Sequence, residues 1–291
     1  MTAQPTFFSI VIPTYNRGDI LNETLQSILA QQYDSFEVII VDDGGNDNTK
    51  EIVDAFKNNK LKYFWKENGE RGAARNFGMQ KARGDYFFFL DSDDHIKPGY
   101  LSYANELIQI NDGAGAIHIP YNTLLNGIEI TNPPLPKDID KKIFVQNRFA
   151  CQVIIKRDVA LATVFSENRD FCIGEDWYYI IKIAITNKFI IGTKNLGLIV
   201  QHSTRSMHTI SPEKVIISRD IFVSLLKEIE TLPAFIIKNV EYELTNLAAL
   251  QAVLQAQKLP ALKFLFQSVV MRPLRTFRVR NFAIIKKVLF Y

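Results

Sequence analysis

Residues 86–95 read YFFFLDSDDH, and the prediction of the fold starts from this stretch. Four apolar residues at 87–90 run directly into Asp91, Asp93 and Asp94. A short run this apolar predicts a strand that is buried on both faces. Clustered carboxylates at the end of such a strand are costly unless a positive group lies between them. We therefore expect a positive group at this point.

The rest of the first half repeats the pattern of an apolar run followed by polar residues. Strands are predicted at 7–13, 36–44, 61–67 and 86–91, and helices at 20–32, 48–59 and 72–84. This alternation predicts an α/β fold with a Rossmann-like, mostly parallel sheet flanked by helices. Such sheets bind ligands at the carboxyl ends of their strands. The clusters PTYNR, DDGG and DSDD stand at three of these ends.

The second half predicts a less regular segment and then a helical C-terminal appendage. Residues 114–198 show no clear period and include the loop NPPLPKD at 132–138. From Ser211, the letters SPEK supply an N-cap and a proline for the first helical turn. Long apolar-periodic stretches follow at 215–232, 234–257 and 261–270. We predict a domain at 1–209 and a helical region at 210–291.

Composition excludes several classes of protein. The chain has 291 residues, 47% of them hydrophobic and 22% charged, as globular proteins do. A net charge of +3 is too small to indicate a nucleic-acid binder by itself. No basic leader and no apolar run of about 18 residues is present, so we expect neither a signal peptide nor a transmembrane helix. With only Cys151 and Cys172, a cytoplasmic protein is predicted.

Asp91 and Asp93 have two interpretations. They can close the strand through an Asx turn. Alternatively, their hard carboxylate oxygens bind Mg²⁺ or Mn²⁺, which shares its other positions with water and substrate phosphates.

Asp42 ends the second strand and also has two interpretations. It can accept a hydrogen bond from a ribose or a base, as acids do at this place in dinucleotide folds. It can also belong to a helix N-cap region, although Asp47 or Asn48 would serve there. A nicotinamide enzyme would carry G-x-G-x-x-G after the first strand. PTYNRGD has one glycine, which counts against a dehydrogenase.

Five motifs follow one another along the chain: SIVIPTYNR, VDDGGNDNT, GAARNFG, FLDSDD and GEDWYY. Together, over about residues 7–185, they resemble the inverting family 2 glycosyltransferases of the GT-A fold. The resemblance implies a nucleoside diphosphate sugar donor, a divalent cation (Mn²⁺ or Mg²⁺), and a single displacement with inversion at the anomeric carbon. It also implies a nucleotide-sugar half at about 1–112 and an acceptor half at about 113–209.

The resemblance implies a nucleotide pocket on the first two strand ends. Pro13, Thr14 and Tyr15 would line the base pocket. Arg17, in the same motif, would belong to the donor-binding residues. Asp42 would accept a hydrogen bond from the base.

The diphosphate and the metal would lie beside the third cluster. Arg75 of GAARN would face the diphosphate or the donor sugar, and Asp91 would approach the ribose or the sugar. Asp93 would bind the metal. His202 would complete the metal site, or is a surface histidine. Gly45 replaces the serine that usually follows DDG in the family, and we expect the turn to accept either residue.

The fifth motif would supply the acceptor side. Asp176 would be the general base and Glu175 would orient the acceptor. The alternative is that both acids favour the positive end of a helix dipole, worth about 0.3–1 kcal/mol. Trp177 and Tyr178 would form an acceptor wall because aromatic faces stack on sugars, or they pack in the core.

The tail at 271–291 carries six basic residues and no acid. It predicts a peripheral segment on anionic lipid, with apolar side chains beneath the headgroups. A terminal helix packed on the protein, with a solvated basic face, is the alternative. No nucleic-acid motif supports a third interpretation.

Together with these observations, the resemblance implies a metal-dependent inverting glycosyltransferase. It would move a hexosyl or N-acetylhexosaminyl group from a nucleoside diphosphate sugar, with UDP as the expected nucleotide, to a saccharide or lipid-linked acceptor. The product would belong to cell-envelope polysaccharide or glycolipid synthesis. The enzyme would work in the cytoplasm or at the inner face of the cytoplasmic membrane. The alternatives are a non-catalytic nucleotide-sugar binding or scaffold protein and a nucleotidyltransferase. A glycosidase would also use paired carboxylates but needs no nucleotide pocket.

Overall fold

Strands and helices alternate through the first half of the chain, as its apolar runs predict. The computed structural model describes residues 4–111, 113–135, 143–144, 147, 149, 152–202, 210–273 and 279–290. The elements up to residue 110 are β1 Phe8–Thr14, α1 Gly18–Leu29, β2 Phe36–Asp42, α2 Thr49–Ala55, β3 Leu61–Trp65, α3 Glu70–Lys81, β4 Tyr86–Phe89, β5 His95–Ile96 and α4 Tyr100–Ile110.

The later elements are shorter strands followed by long helices. They are β6 Ala116–His118, β7 Tyr121–Leu125, β8 Ile128–Ile130, β9 Val153–Lys156, α5 Arg157–Ala162, α6 Glu175–Thr186, β10 Phe189–Ile191, β11 Gly197–Gln201, α7 Pro212–Lys227, α8 Ala234–Leu254, α9 Lys258–Met271 and α10 Val279–Phe290.

The chain divides into two compact units. The first comprises Met1–Ile143, Arg148–Glu167 and Tyr179–His202, and the second comprises Phe144–Asn147, Asn168–Tyr178 and Ser203–Tyr291. The second unit thus takes a segment, 168–178, from within the predicted domain 1–209. The predicted domain boundary and the predicted halves of the first domain stay predictions.

The central sheet of the first unit confirms the α/β fold. Over the described residues it has seven strands in the order β10-β6-β9-β4-β1-β2-β3. β1 pairs in parallel with β2 and β4, and β2 pairs in parallel with β3. β9 runs antiparallel to both of its neighbours, β4 and β6. The sheet is therefore mostly parallel, with one reversed strand.

Successive residues of the central strands pack against opposite faces of this sheet. Ile10 and Phe88 belong to one buried apolar cluster, together with residues of α1 and α4. Val11 and Phe87 belong to a second cluster, which includes residues of α3 and α6. Burial on both faces explains why these strands read as continuous apolar runs in the sequence.

A second, smaller sheet of the first unit carries residues toward the end of β4. Over the described residues its order is β5-β11-β7-β8. β11 pairs antiparallel with β5, which follows directly after the carboxylates, and parallel with β7. This pairing brings the end of β11, and His202 after it, close to residues 91–94.

The second unit is built mainly of helices, as predicted for the C-terminal region. Ser211 caps α7, because its hydroxyl accepts a hydrogen bond from the Lys214 amide at 3.3 Å, and Pro212 occupies the first helical position. α8, α9 and α10 share an apolar cluster that comprises Ala249, Ala252, Ala261, Leu265 and Ile284. Among the described residues no helix is long and apolar enough to cross a bilayer.

The C-terminal tail forms a helix over most of its length. Ile284 of α10 is buried in the shared cluster, and Asn281 accepts a hydrogen bond from Asn246 of α8 at 2.6 Å. Phe282 and Ile285 remain exposed. The helix packs on the second unit through one side and presents apolar side chains on another.

Candidate functional site

The carboxyl ends of β1 and β2 lie side by side. Their parallel register pairs Thr14 with Asp42, and the Asp43 amide donates to the Thr14 carbonyl at 2.8 Å. β4 lies on the other side of β1. The clusters PTYNR, DDGG and DSDD therefore meet at one edge of the sheet, as the sequence predicts.

Asp93 lies between the Arg17 guanidinium and the His202 imidazole. Its Oδ2 accepts from Arg17 Nη1 at 2.9 Å and lies 2.9 Å from His202 Nε2. Asp93 is 3% exposed. The structure thus brings together the predicted metal ligand, the predicted second ligand His202 and one predicted donor-binding residue. Charge-assisted contacts of this kind are stronger than neutral hydrogen bonds.

Asp91 pairs with a second arginine of the site, Arg75, which is buried. Arg75 Nη2 donates to Asp91 Oδ1 at 2.8 Å. Arg75 is positioned by α3, and its guanidinium lies 5.2 Å from the ring centroid of Phe165. A buried arginine that is bonded to a carboxylate is held in one orientation, which suits recognition of an anion.

Asp94 belongs to the same cluster, although the prediction assigned it no role. Its Oδ2 accepts from Gln152 Nε2 at 3.1 Å and its Oδ1 accepts from the Val200 amide at 3.2 Å. Asp94 itself stands in DSDD, so its presence was visible in the sequence. The role of Gln152 was not visible, because it reaches Asp94 only when β9 pairs with β4.

The three aspartates fit a divalent cation. One carboxylate oxygen each from Asp91, Asp93 and Asp94 lies within 4.8 Å of the others. Carboxylate oxygens are the ligands that Mg²⁺ and Mn²⁺ prefer. Three acids concentrated at one strand end also favour an added positive charge.

Asp42 is buried and already bonded within the chain. Its Oδ2 accepts from the Tyr63 hydroxyl at 2.7 Å and its Oδ1 from the Gly45 amide at 2.8 Å. Burial and the neighbouring Asp42 carboxylate raise the pKa of Tyr63. The Asp42 side chain therefore fixes the turn after β2, and a base would share its oxygens with these donors.

The turn after β2 depends on Gly45. A Cβ at this position would lie 2.6 Å from Asp42 Oδ1 and 3.1 Å from Asn16 Oδ1. Asn16 has a positive φ of 49° and accepts from the Asn46 amide at 2.9 Å, which joins the first two loops. A serine at this position would require the Asp42 carboxylate to shift, so the expectation that the turn accepts either glycine or serine stays a prediction.

The predicted base pocket contains one buried hydroxyl and one exposed ring. Thr14 is buried, and among the described residues no group hydrogen-bonds its Oγ1. Tyr15 is exposed and Pro13 half-buried. A hydroxyl without a partner at a strand end suits a polar ligand, since buried polar groups are normally satisfied.

The acidic pair of the fifth motif opens α6 and is described within the second unit. Asp176 Oδ2 accepts from Asn147 Nδ2 at 2.9 Å, while Glu175 is buried. Trp177 is 3% exposed and its ring meets Phe222 edge-on at 5.5 Å. Packing, the alternative interpretation, thus accounts for Trp177. Tyr178 is half-buried, and burial raises its pKa.

Comparison with known proteins agrees with this arrangement. The model of the family described as "Glycosyl transferase family 2" matches residues 9–157. The glycosyltransferase GlyG of Streptococcus pneumoniae is 38% identical over 117 residues, which are 39% of this chain and 39% of GlyG. The chain spans well under half the length of the curated relatives it matches first, between 19% and 39%.

Two solved structures share the fold. Residues 1–349 of S. aureus TarS, in complex with UDP-GlcNAc, superpose with a TM-score of 0.69 at 21% identity, covering 97% of this chain and 90% of that one. The mannosyltransferase PcManGT from Pyrobaculum calidifontis, in complex with GDP-Man and Mn²⁺, gives a TM-score of 0.63 at 18% identity, covering 99% and 87%. They confirm the GT-A architecture. Because the family model covers just over half of the sequence, the chain belongs to glycosyltransferase family 2.

Proposed function

We propose that the chain is a metal-dependent inverting glycosyltransferase. It moves a hexosyl or N-acetylhexosaminyl group from a nucleoside diphosphate sugar to a hydroxyl of a saccharide or lipid-linked acceptor. The observation that carries the proposal is the cluster of three aspartates, held by Arg17 and Arg75, at the carboxyl ends of parallel strands.

The donor-side residues bind the nucleotide and its diphosphate. Tyr15 is exposed and can lie against a base, and the Thr14 hydroxyl offers it a hydrogen bond. Arg17 and Arg75 offer planar guanidinium groups, which match phosphate oxygens in pairs. Asp42, in this proposal, accepts from the base with the oxygen lone pairs that its internal donors leave.

Asp91, Asp93 and Asp94 would hold the divalent cation, with His202 beside Asp93. When bound, such a cation would offset the negative charge that develops on the departing nucleoside diphosphate. Arg17 and Arg75 act on the same charge from the protein side. Mn²⁺ and Mg²⁺ both suit these ligands.

The acceptor-side residues would lie in the fifth motif. Asp176 would take the proton from the acceptor hydroxyl as its oxygen attacks the anomeric carbon, a contribution of about 10²- to 10⁴-fold in rate. Asn147 orients this carboxylate through its 2.9 Å hydrogen bond. Glu175 would position the acceptor, and the half-buried Tyr178 suits a sugar-stacking wall better than the buried Trp177.

The fold neighbours support a nucleoside diphosphate sugar as the donor. TarS was solved with UDP-GlcNAc, and PcManGT with GDP-Man and Mn²⁺. Among nucleoside diphosphate sugars, we propose a UDP-linked one as the donor. We further propose an acceptor in cell-envelope polysaccharide or glycolipid synthesis, and a place in the cytoplasm at the inner face of the membrane, contacted through residues 271–291.

Calorimetry tests the donor side. UDP, GDP and dTDP are titrated into the protein with and without Mn²⁺, using wild type, Asp93→Asn and the surface control Asp34→Asn, whose carboxylate is fully exposed. We expect one diphosphate to bind only with Mn²⁺, and Asp93→Asn alone to abolish this binding.

Failure of every diphosphate to bind in the presence of Mn²⁺ would contradict an active donor site and favour the scaffold alternative. Binding that is equal with and without Mn²⁺ would contradict metal dependence but leave the nucleotide site standing. Asp176→Asn then separates binding from catalysis, because it should retain diphosphate binding and lose transfer.

A further inference from the structure

One face of α9 is apolar and exposed. An α-helix turns by about 100° per residue, so the four exposed large apolar side chains of α9 lie within an arc of about 80° around the helix axis. They are Leu259, Leu262, Phe266 and Val270, which are 81%, 45%, 69% and 62% exposed. Lys258 and Lys263 flank this stripe on its two sides. We call these six residues the α9 face.

The opposite side of α9 holds the helix in place. Ala261 and Leu265 are buried in the cluster shared with α8 and α10, and Ser268 is buried beside Asn246 of α8. The helix is therefore fixed by one side, and its exposed side is not needed for that packing. Contiguous exposed apolar side chains on a packed helix indicate an interaction surface.

The charges around the α9 face favour an anionic partner. After Glu243 the sequence contains no Asp or Glu and eight Lys or Arg residues. Two of them, Lys286 and Lys287, are exposed on α10 next to exposed Phe282 and Ile285. A second copy of the same surface would bring like charges together with no acids from this region to pair them.

An apolar stripe with lysines on both edges matches the surface of an anionic bilayer. The apolar side chains enter the acyl boundary, and the lysine stems extend along it so that the ammonium groups reach the headgroups. We propose that the α9 face docks the protein onto an anionic phospholipid membrane. This assignment rests on the peripheral membrane contact in the proposed function, and it places the apolar contact on α9 rather than on the tail alone.

Vesicle flotation tests the proposal with the full chain. The probes are vesicles of phosphatidylcholine alone and vesicles with 30% phosphatidylglycerol (about a third anionic lipid, in the range that attracts polybasic surfaces). We expect wild type to bind the anionic vesicles only. Leu259→Ser/Phe266→Ser should lower binding more than tenfold, and Lys258→Gln/Lys263→Gln should lower it about fivefold for each lysine.

The matched control is Ile128→Ser/Ile130→Ser. These β8 side chains belong to the first unit and are exposed to a similar extent, 68% and 45%. We expect this control to bind vesicles as wild type does. Phe266→Trp adds a direct readout, because a tryptophan that enters the acyl region is quenched by brominated lipid.

Three results would overturn the proposal, and each differs from failure of the donor site. Loss of binding in Lys286→Gln/Lys287→Gln with no effect of the α9 variants would place the contact on α10. Self-association that Leu259→Ser/Phe266→Ser abolishes, without vesicle binding, would make the partner a second copy. No binding to either vesicle, in protein that still binds a diphosphate with Mn²⁺, would exclude membrane docking while the donor site stands.

Discussion

Arg17 contributes positive charge to the aspartate cluster at Asp93. Three carboxylates lie within 4.8 Å of one another, and Arg17 contacts the one that the resemblance assigns to the metal. A guanidinium 2.9 Å from Asp93 Oδ2 competes with a cation for the same oxygen. A diphosphate would draw Arg17 away, because phosphate offers it paired acceptors.

Arg17→Gln is therefore expected to have opposite effects on the two ligands. Mn²⁺ should bind more tightly in the absence of nucleotide, by roughly fivefold or more, since a competing positive charge is removed. The diphosphate should bind about tenfold more weakly or worse, since a charge-assisted hydrogen bond is lost. Electron paramagnetic resonance of free Mn²⁺ and calorimetry of the diphosphate measure the two effects.

Arg83→Gln is the control, because its exposed guanidinium pairs with Glu37 and not with the aspartate cluster. It should leave both affinities unchanged. If Arg17→Gln weakens Mn²⁺ binding in the absence of nucleotide, Arg17 supports the metal rather than competing with it.

Gly45 gives a second prediction at this scale. A Cβ at this position would lie 2.6 Å from Asp42 Oδ1, so we expect the carboxylate to shift and to weaken its bonds to the Gly45 amide and Tyr63. Gly45→Ser should lower the free energy of unfolding by about 1–3 kcal/mol, measured by urea denaturation. Gly45→Ala carries the same Cβ without the hydroxyl, so equal losses identify the steric cause. Unchanged stability in both variants would show that the turn adapts.

Among the elements, the parallel strands of the first half and the C-terminal helices agree with the sequence prediction, whereas the strands after residue 113 are not predicted. β1 was expected at 7–13 and is Phe8–Thr14, and β2 was expected at 36–44 and is Phe36–Asp42. Burial on both faces makes these strands continuous apolar runs, which are visible locally. β9 and the second sheet depend on pairing between distant segments, and nothing in their own residues states the partner.

The residues of the candidate site also differ in whether the sequence could predict them. The aspartates, Arg17 and Asp42 could be predicted because strand ends of a parallel sheet share one edge. His202 could be named only by resemblance, because its approach to Asp93 depends on β11 pairing with β5. Gln152 and Tyr63 were missed, since an amide or a phenol in a strand carries no sign of the acid it will contact.

His118 at the end of β6 gives the prediction at the scale of an element. It is fully buried, its Nδ1 lies 2.9 Å from the Gln152 carbonyl, and its ring meets Phe149 at 4.4 Å. Burial lowers the pKa of His118 to about 4, despite the hydrogen bond to the Gln152 carbonyl. The imidazole is therefore neutral in the folded protein at neutral pH.

Between pH 6.5 and 4 the unfolded chain binds a proton that the folded protein does not. The free energy of unfolding should fall as pH drops through this window, by on the order of 3 kcal/mol in total. His118→Asn keeps a donor near the Nδ1 position and does not titrate. It should be less stable than wild type at pH 8 and lose less stability on acidification. The free energy of unfolding is measured by urea denaturation from pH 7.5 to 4.5. An equal decrease in both proteins would contradict a lowered pKa of His118.

At the scale of the whole molecule, charge is distributed unequally along the chain. Residues up to Glu243 carry a net charge of −5, and the remainder carries +8. The acids of the aspartate cluster belong to the first part and the α9 face to the second. The proposed cation site and the proposed membrane-binding surface thus lie on separate segments of the chain. Two different ligands should therefore leave two different footprints.

Hydrogen–deuterium exchange of the full chain tests this separation. UDP with Mn²⁺ should slow exchange at the strand-end loops, residues 14–18, 42–48 and 91–94, because the ligand orders backbone that lacks regular hydrogen bonds. Vesicles with 30% phosphatidylglycerol, about a third anionic lipid, should slow exchange in α9 instead. Asp93→Asn should remove only the first footprint, and Leu259→Ser/Phe266→Ser only the second. If vesicles protected the strand-end loops, or if either variant removed both footprints, the two surfaces would not act as the independent sites that their charges indicate.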